Sequence, residues 1–136
     1  MAQVEVLNDL HHAIKRGDVS ALRQYLHDDG DTRATDRQGW TPLMMASKQG
    51  NTAMIELLVE AGADVNETWD NGFSPLVAAA LQGSVRAVKL LLKHGASPHA
   101  KYGESLIDAL RRYGGERDHV RRVIEAAIAD NPSRAV

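Results

Sequence analysis

Apolar residues in the middle of the chain recur three and four positions apart, the spacing that places side chains along one side of an α-helix. Ile55, Leu58 and Val59 form one such stripe, and a matching stripe begins at Val88 and continues through Leu91. Each stripe is short, because a glycine follows it within a few residues. The pattern predicts a series of short amphipathic helices, each with one side to bury.

The two stripes belong to a longer segment that the chain repeats. The segment from Gly39 to Asp70 reads GWTPLMMASKQGNTAMIELLVEAGADVNETWD, and most of it reappears after a shift of 33 residues. The shift converts Gly39, Pro42, Leu43, Gly50, Leu58, Gly62 and Ala63 into Gly72, Pro75, Leu76, Gly83, Leu91, Gly95 and Ala96. A fixed period of this size is typical of a solenoid, in which neighbouring repeats stack to bury the apolar side of each. A stack of repeats presents an extended surface, which is suited to binding rather than to catalysis.

Each repeat carries the signals of two helices. Thr41 and Pro42 predict a helix start. The hydroxyl of Thr41 can accept hydrogen bonds from the unpaired amides of the first turn, and the fixed φ of proline suits that turn. Gly50 ends this helix, Asn51 can cap a second one, and Gly62 ends the second. The next repeat has equivalent residues one period later. Polar, turn-rich connections lie between the helix pairs and are long enough to project as fingers.

Both ends of the chain fit the same frame in altered form. In the first repeat Asp29 stands at the helix stop and Gly30 follows it, so we expect an irregular turn there. In the last repeat the step from Gly83 to Gly114 is 31 residues, and Leu106 replaces the helix-start proline. Terminal repeats of a solenoid are atypical, because they seal the core. We expect a single domain over residues 1–136, with repeats at about 3–35, 36–68, 69–101 and 102–130 and a frayed tail at 131–136.

Composition narrows the class of protein without naming its role. The net charge of −2 with interspersed signs argues against a dedicated nucleic-acid binder, which needs a clear basic excess. Without cysteine, the chain has no disulfides and no thiolate metal site. The N-terminal sequence does not resemble a secretory signal, and nothing in the chain is apolar enough to span a membrane. We expect a cytoplasmic protein.

The segments TPLMMA and SPLVAA each follow a glycine and precede a helix pair, and together with GWTPL and GADVN they resemble the ankyrin repeat. The resemblance covers nearly the whole chain. It implies an all-α repeat fold, an ankyrin solenoid of stacked helix-turn-helix units with β-hairpin or loop fingers. In the family a histidine after the leucine tethers adjacent loops. This chain has Met44 and Val77 there and keeps only His11, which predicts looser contacts between loops.

The resemblance also implies a concave surface, made from the fingers and the exposed ends of the first helices, that holds another protein. Carried over position by position, this surface begins with Lys15 and Arg16 in the first repeat. In the later repeats it comprises Arg37, Gln38, Trp40, Lys48, Gln49, Trp69, Asp70, Asn71, Phe73, Leu81, Gln82, Lys101, Tyr102, Glu104, Arg112 and Tyr113.

Five of the six aromatic residues of the chain fall on this expected surface, and the sixth, Tyr25, lies on a second helix. Rigid rings are enriched at binding hot spots, because they give a large contact area at little entropic cost. Trp40 either contacts a partner or packs against the next finger. For Trp69 and Phe73 we expect contact with a partner, because both lie in a turn-rich finger.

Signals for catalysis or metal binding are weak. His11 and His12 are adjacent, so on a helix they point about 100° apart and cannot easily share a metal. The other histidines are scattered, and Gly114 and Gly115 are explained by a helix stop. The arginines of the last repeat alternate with carboxylates, as on a solvated helix face. We therefore predict no enzymatic activity, no catalytic residues, no cofactor and no metal.

Three hypotheses about function follow. The first is a non-catalytic module that grips a partner protein in the concave groove, is monomeric without it, and binds neither nucleic acid nor membrane. The second is an immunity or inhibitor protein that caps a toxin or enzyme, since small stand-alone ankyrin proteins of this kind occur in bacteria beside secreted toxins. The third is a structural subunit whose groove is occupied by its own copy. The sequence does not identify the partner.

Overall fold

The computed structural model describes residues 10–130 of the chain, with the side chain of residue 116 left out. Within this range the chain forms successive helix pairs joined by fingers. The helices are α1 (residues 10–16), α2 (Val19–His27), α3 (Pro42–Gln49), α4 (Thr52–Glu60), α5 (Pro75–Leu81), α6 (Val85–Lys93), α7 (Leu106–Tyr113) and α8 (Asp118–Asp130). A single 3-10 turn, Gly115–Arg117, precedes α8. The tail expected at 131–136 lies outside the described residues.

The first helix of each central repeat begins as the sequence predicts, and α3 also ends as predicted, whereas α5 has Gln82 at its C-cap in place of the predicted Gly83. The hydroxyl of Thr41 accepts from the amide of Met44 at 3.2 Å, and Pro42 occupies the first turn. One repeat later Ser74 plays the same part at the start of α5. A hydroxyl cap of this kind stabilises a helix by about 1 kcal/mol. Gly50 ends α3 in the left-handed conformation, with φ of 69°, which a side chain would strain.

The second helices are capped in the same manner. Asn51 accepts from the amide of Met54 at 3.2 Å, and Asp18 caps α2. At the end of α4, the amide of Ala63 donates to the carbonyl of Leu58 at 3.0 Å across Gly62, closing the turn that glycine permits. Each central helix therefore begins at a capping side chain that lies next to it in sequence.

The core runs continuously along the stack of helix pairs. The inner helices α3 and α5 pack on each other and α5 packs on α7, while α4 and α8 both pack on α6. Ala46 and Ala79 are fully buried between the inner helices, and these small side chains allow the backbones to approach closely. Leu58 and Leu91, from the predicted stripes, are also fully buried. The solenoid is confirmed.

The last repeat keeps the arrangement with different local chemistry. Leu106, in place of proline, is fully buried, and its amide donates to the carbonyl of Ala100 at 3.0 Å. Ser105 precedes α7 without a capping hydrogen bond from its side chain. Val120 and Ile124 of α8 are fully buried and face α6 and α7. These residues join the same core as the central repeats.

The irregular turn after α2 is also confirmed. Asp29 adopts a positive φ of 59°, the conformation that glycine takes at the later helix stops. The amide of Gly30 donates to the carbonyl of Tyr25 at 2.8 Å, and the ring of Tyr25 lies so close to Gly30 that a Cβ there would overlap it.

The fingers differ in their secondary structure. In the third finger, β1 (Lys101–Tyr102) pairs antiparallel with β2 (Glu104–Ser105). In the second finger Trp69 and Phe73 form a single antiparallel bridge, with the Trp69 amide 2.8 Å from the Phe73 carbonyl. The first finger is built from turns. The hairpin implied by the family resemblance is thus fully formed in one finger.

Neighbouring loops are joined by polar side chains other than the family's histidine. The side chain of Asn66 donates to the carbonyl of Gly95 at 3.0 Å and accepts from the amide of Ser97 at 2.8 Å. The hydroxyl of Thr41 donates to the carboxyl of Glu67. The bonds of Asn66 connect successive repeats, and the bond from Thr41 joins the start of α3 to the base of the second finger.

Candidate functional site

Rings from three successive fingers form one continuous row. The centroids of Trp40 and Phe73 are 4.7 Å apart with the ring planes tilted by 33°. Phe73 in turn meets Tyr102 edge to face, at 5.6 Å and 65°. Offset and edge-to-face pairs of this kind stabilise by about 1 kcal/mol each beyond the area they bury. The row therefore links the first, second and third fingers.

Phe73 is the centre of this row and belongs to the core. Its side chain is only 8% exposed, and it is part of the buried hydrophobic cluster. This burial leaves little of the Phe73 ring for the contact with a partner that the sequence predicts. A phenyl ring has no polar group to keep in water, and here it is covered by Trp40 on one side and Tyr102 on the other.

Trp40 takes the packing alternative left open by the sequence. Its indole is partly buried and lies against Phe73 of the next finger. The ammonium of Lys48, at the end of α3, lies 5.0 Å from the centre of the Trp40 rings, which is a cation–π distance. Lys48 itself is exposed, so this contact leaves its charge at the surface.

Three aromatic side chains remain exposed. Trp69 is 43% exposed, Tyr102 is 41% exposed and Tyr113 is 60% exposed. The indole of Trp69 lies directly over Gly39 of the preceding finger, where an added Cβ would overlap it. The ring is therefore positioned by its neighbour while nearly half of it faces solvent.

The ring of Tyr113 is held in place by Arg117, a contact that the sequence does not predict. The guanidinium carbon of Arg117 lies 5.2 Å from the centre of the Tyr113 ring. The Nε of Arg117 also donates to the carbonyl of Leu81, at 2.7 Å, at the end of α5. Arg117 thus joins the last repeat to the half-buried Leu81. The sequence does not predict this contact, because the two residues are 36 positions apart.

The tips of the fingers are fixed by hydrogen bonds in which backbone amides donate, either to a side chain or to a carbonyl. Asp36 accepts from the amides of Gln38 and Trp40, at 2.8 and 3.0 Å, and so closes the first tip beside Arg37. In the second tip Asp70 and Asn71 have positive φ of 31° and 59°. The carbonyl of Asn71 accepts from the amide of Gly103 at 2.9 Å and ties this tip to the third finger.

Together these contacts define a surface that we call the finger face. A chain of neighbours runs from Lys48 through Trp40, Phe73 and Tyr102 to Glu104, which forms an ion pair with Arg112. We assign to this face the residues that the family resemblance predicts for the concave surface. Those that are exposed are Arg37, Gln38, Lys48, Gln49, Trp69, Asp70, Asn71, Gln82, Lys101, Tyr102, Arg112 and Tyr113, and those that are half-buried are Trp40, Leu81 and Glu104. Lys15 and Arg16 are exposed at the corresponding end of α1.

Glu67, at the base of the second finger, is a further residue that sequence reasoning missed. Burial raises its pKa to about 7, while the hydrogen bond from Thr41 lowers it and the charge of Asp64 raises it. The carboxyl therefore changes its charge near neutral pH. The sequence gives no signal for this, because the shift depends on how the finger folds against Thr41.

Other kinds of site find no support among the described residues. Between residues 10 and 130, no group of three or more histidines and carboxylates is placed to hold a metal ion. Within the same range, every helix is too short or too polar to cross a bilayer.

Comparison with known proteins agrees with the architecture. A family model of ankyrin repeats matches the chain in three copies over residues 10–102, well over half of its length. No curated protein matches the sequence. Ankyrin repeats are generally protein–protein interaction modules, and the family is typically non-catalytic. The stacked helix pairs, the fingers and this match together show that the chain belongs to the ankyrin-repeat family.

Proposed function

We propose that the chain is a non-catalytic module that binds a partner protein through the finger face. The observation that carries the proposal is the exposure of Trp69, Tyr102 and Tyr113, three rings that each lie against a neighbouring residue. Tyrosine and tryptophan are the side chains most enriched at the centres of protein interfaces, since they combine apolar area with a polar group.

The energetics favour contact through these rings. Transfer of apolar surface out of water stabilises a complex by about 25 cal/mol per Å². A ring that is already held in place also loses little entropy on binding. Trp69 is held over Gly39, Tyr102 against Phe73, and Tyr113 against Arg117.

The backbone beneath the rings is equally constrained. The hydrogen bond from Gly103 to Asn71 fixes the second and third fingers relative to each other, and the bridge between Trp69 and Phe73 closes the second finger on itself. A prearranged surface of this kind binds without a large ordering cost. The finger face therefore has the properties of a recognition platform.

The proposal is tested by affinity capture from a native lysate, followed by quantitative mass spectrometry. Wild-type protein is compared with Trp69→Ala and Tyr102→Ala. Lys89→Ala, at an exposed position on α6, is the matched control. We expect a protein that is captured by the wild type and the control and is lost from both ring variants. Where that protein is an enzyme, its activity with and without the chain distinguishes an inhibitor from a scaffold.

Two results would contradict the proposal. One is capture that both ring variants retain. The other is unfolding of these variants, measured by circular dichroism, because contact residues should be dispensable to the fold. Light scattering of the purified protein addresses self-association, and a monomer at all concentrations excludes the chain's own copy as the occupant.

A further inference from the structure

We infer that the partner presents an acidic, extended segment to the finger face. The inference rests on the proposed function and concerns the chemistry of the partner. It starts from the charges of the face, which differ from those of the chain as a whole.

Five exposed cations, on the finger face or at the corresponding end of α1, form no ion pair with the side chains that the structure describes: Lys15, Arg16, Arg37, Lys48 and Lys101. The acids on the face are fewer and mostly engaged. Glu104 is paired with Arg112, and Asp36 accepts from two backbone amides beneath the first tip. Asp70 is the one carboxylate at a fingertip that has neither kind of partner within the described residues. The face is therefore cationic although the chain carries a net charge of −2.

Other exposed acids of the chain are not among the residues of the finger face. Asp28, Asp29 and Asp31 form a cluster of exposed carboxylates in the turn after α2. Glu56 and Glu60 are exposed on α4, one of the outer helices. A local excess of cations steers an acidic partner to that part of a protein surface.

Helix stability explains only part of the cationic character. Lys48 lies in the last turn of α3, and Lys15 and Arg16 lie at the corresponding end of α1. Cations there also offset the negative end of the helix dipole. Arg37 and Lys101 lie at fingertips, where no helix ends. Their charges have no such structural role. Arg37 belongs to the first finger, and Lys101 precedes the exposed Tyr102 in β1 of the third finger.

The geometry of the stack favours an extended segment as the ligand. Packed helices lie about 10 Å apart, so equivalent fingertip positions recur at about that interval. An extended chain advances about 3.3 Å per residue, which gives about three residues for each repeat. Carboxylates spaced in this way can meet the fingertip cations while apolar side chains between them cover Trp69 and Tyr102. Asp70, in the middle of the row, disfavours the uniform negative charge of a nucleic acid.

Defined probes test the inference. We suggest fluorescent peptides of about twelve residues, one built from Glu-Glu-Leu units and one from Lys-Lys-Leu units, with single-stranded DNA as a third probe. Binding is measured by anisotropy at low and high salt. The double variant Arg37→Glu with Lys101→Glu is compared with Arg86→Glu with Lys89→Glu on α6, which makes the same change of charge on exposed positions of an outer helix.

We expect the acidic peptide to bind, to weaken as salt is raised, and to lose at least about tenfold in affinity in the fingertip variant alone. Absence of acidic-peptide binding, equal loss in both double variants, or preference for the basic peptide or DNA would overturn the inference. The outcome is separable from that of the capture experiment. A partner lost on Trp69→Ala but insensitive to fingertip charge reversal would leave the proposed function standing and refute an acidic ligand.

Discussion

The ring of Trp40 lies 4.7 Å from the ring of Phe73, one residue carried by the first finger and the other by the second. The two residues occupy equivalent positions, each following a glycine and preceding a helix cap. Residues that are equivalent in the sequence repeat are therefore also neighbours in space. It also separates two roles that aromatic residues play on the finger face, because Phe73 supports the surface while Trp69 and Tyr102 are exposed on it.

This division predicts different consequences for two ring deletions. Phe73→Ala removes a buried ring and leaves a cavity between Trp40 and Tyr102, so we expect a loss of about 3 kcal/mol in the free energy of unfolding. Tyr113→Ala removes a ring that is 60% exposed, and we expect it to change that free energy by less than about 0.5 kcal/mol. Urea denaturation measures both. Equal stability of the two variants would show that the ring row does not support the fold.

A second prediction concerns the seat of Trp69. Gly39 has φ of 88° and lies under the indole, whereas Gly62 has φ of 100° and an open space where a Cβ would go. Alanine strains the backbone at both positions by about 1 kcal/mol or more. Only Gly39→Ala also displaces the indole, so we expect it to be the more destabilising by at least about 1 kcal/mol and to weaken partner binding. Equal losses in thermal or chemical unfolding would place Trp69 elsewhere.

A third prediction concerns pH. The pKa of Glu67 is about 7 in the folded protein, above its ordinary value of 4.5, chiefly because of burial. The folded state therefore holds a proton that the unfolded chain releases, and stability should fall as pH rises from about 4.5 to 7 and level off above that. Since the carboxyl is only partly buried, we expect its ionisation to account for a decrease of about 1 to 2 kcal/mol in the free energy of unfolding over this pH range.

Urea unfolding at a series of pH values measures the slope, and Glu67→Gln should flatten it. The exposed position Glu56 on α4 provides the matched control, because Glu56→Gln leaves the environment of Thr41 intact. A slope unchanged by Glu67→Gln, or reduced as much by Glu56→Gln, would contradict the assignment.

Most of the fold could be predicted because its signals are local. Thr41 and Asn51 cap helices through amides three residues away, and Gly50 ends a helix through its own φ. Even the exception at Asp29 follows from one residue in place of glycine. A period of 33 residues then copies each local decision along the chain.

The finger face was only partly predictable, because its details depend on contacts between repeats. The sequence placed both Trp69 and Phe73 in one exposed finger, but the turn between them directs Phe73 inward to Trp40 and Tyr102. The raised pKa of Glu67 depends on a hydroxyl 26 residues away in sequence. Neither relationship has a period or a motif that a single sequence reveals.

Arg117 touches two parts of the molecule at once, the carbonyl that ends α5 and the ring of Tyr113. A change at this residue would release an inner helix terminus and an exposed tyrosine together. In a saturation mutagenesis screen that measures partner binding, substitutions of Arg117 would therefore weaken binding as those of a contact residue do, even if no atom of the ligand ever reached it.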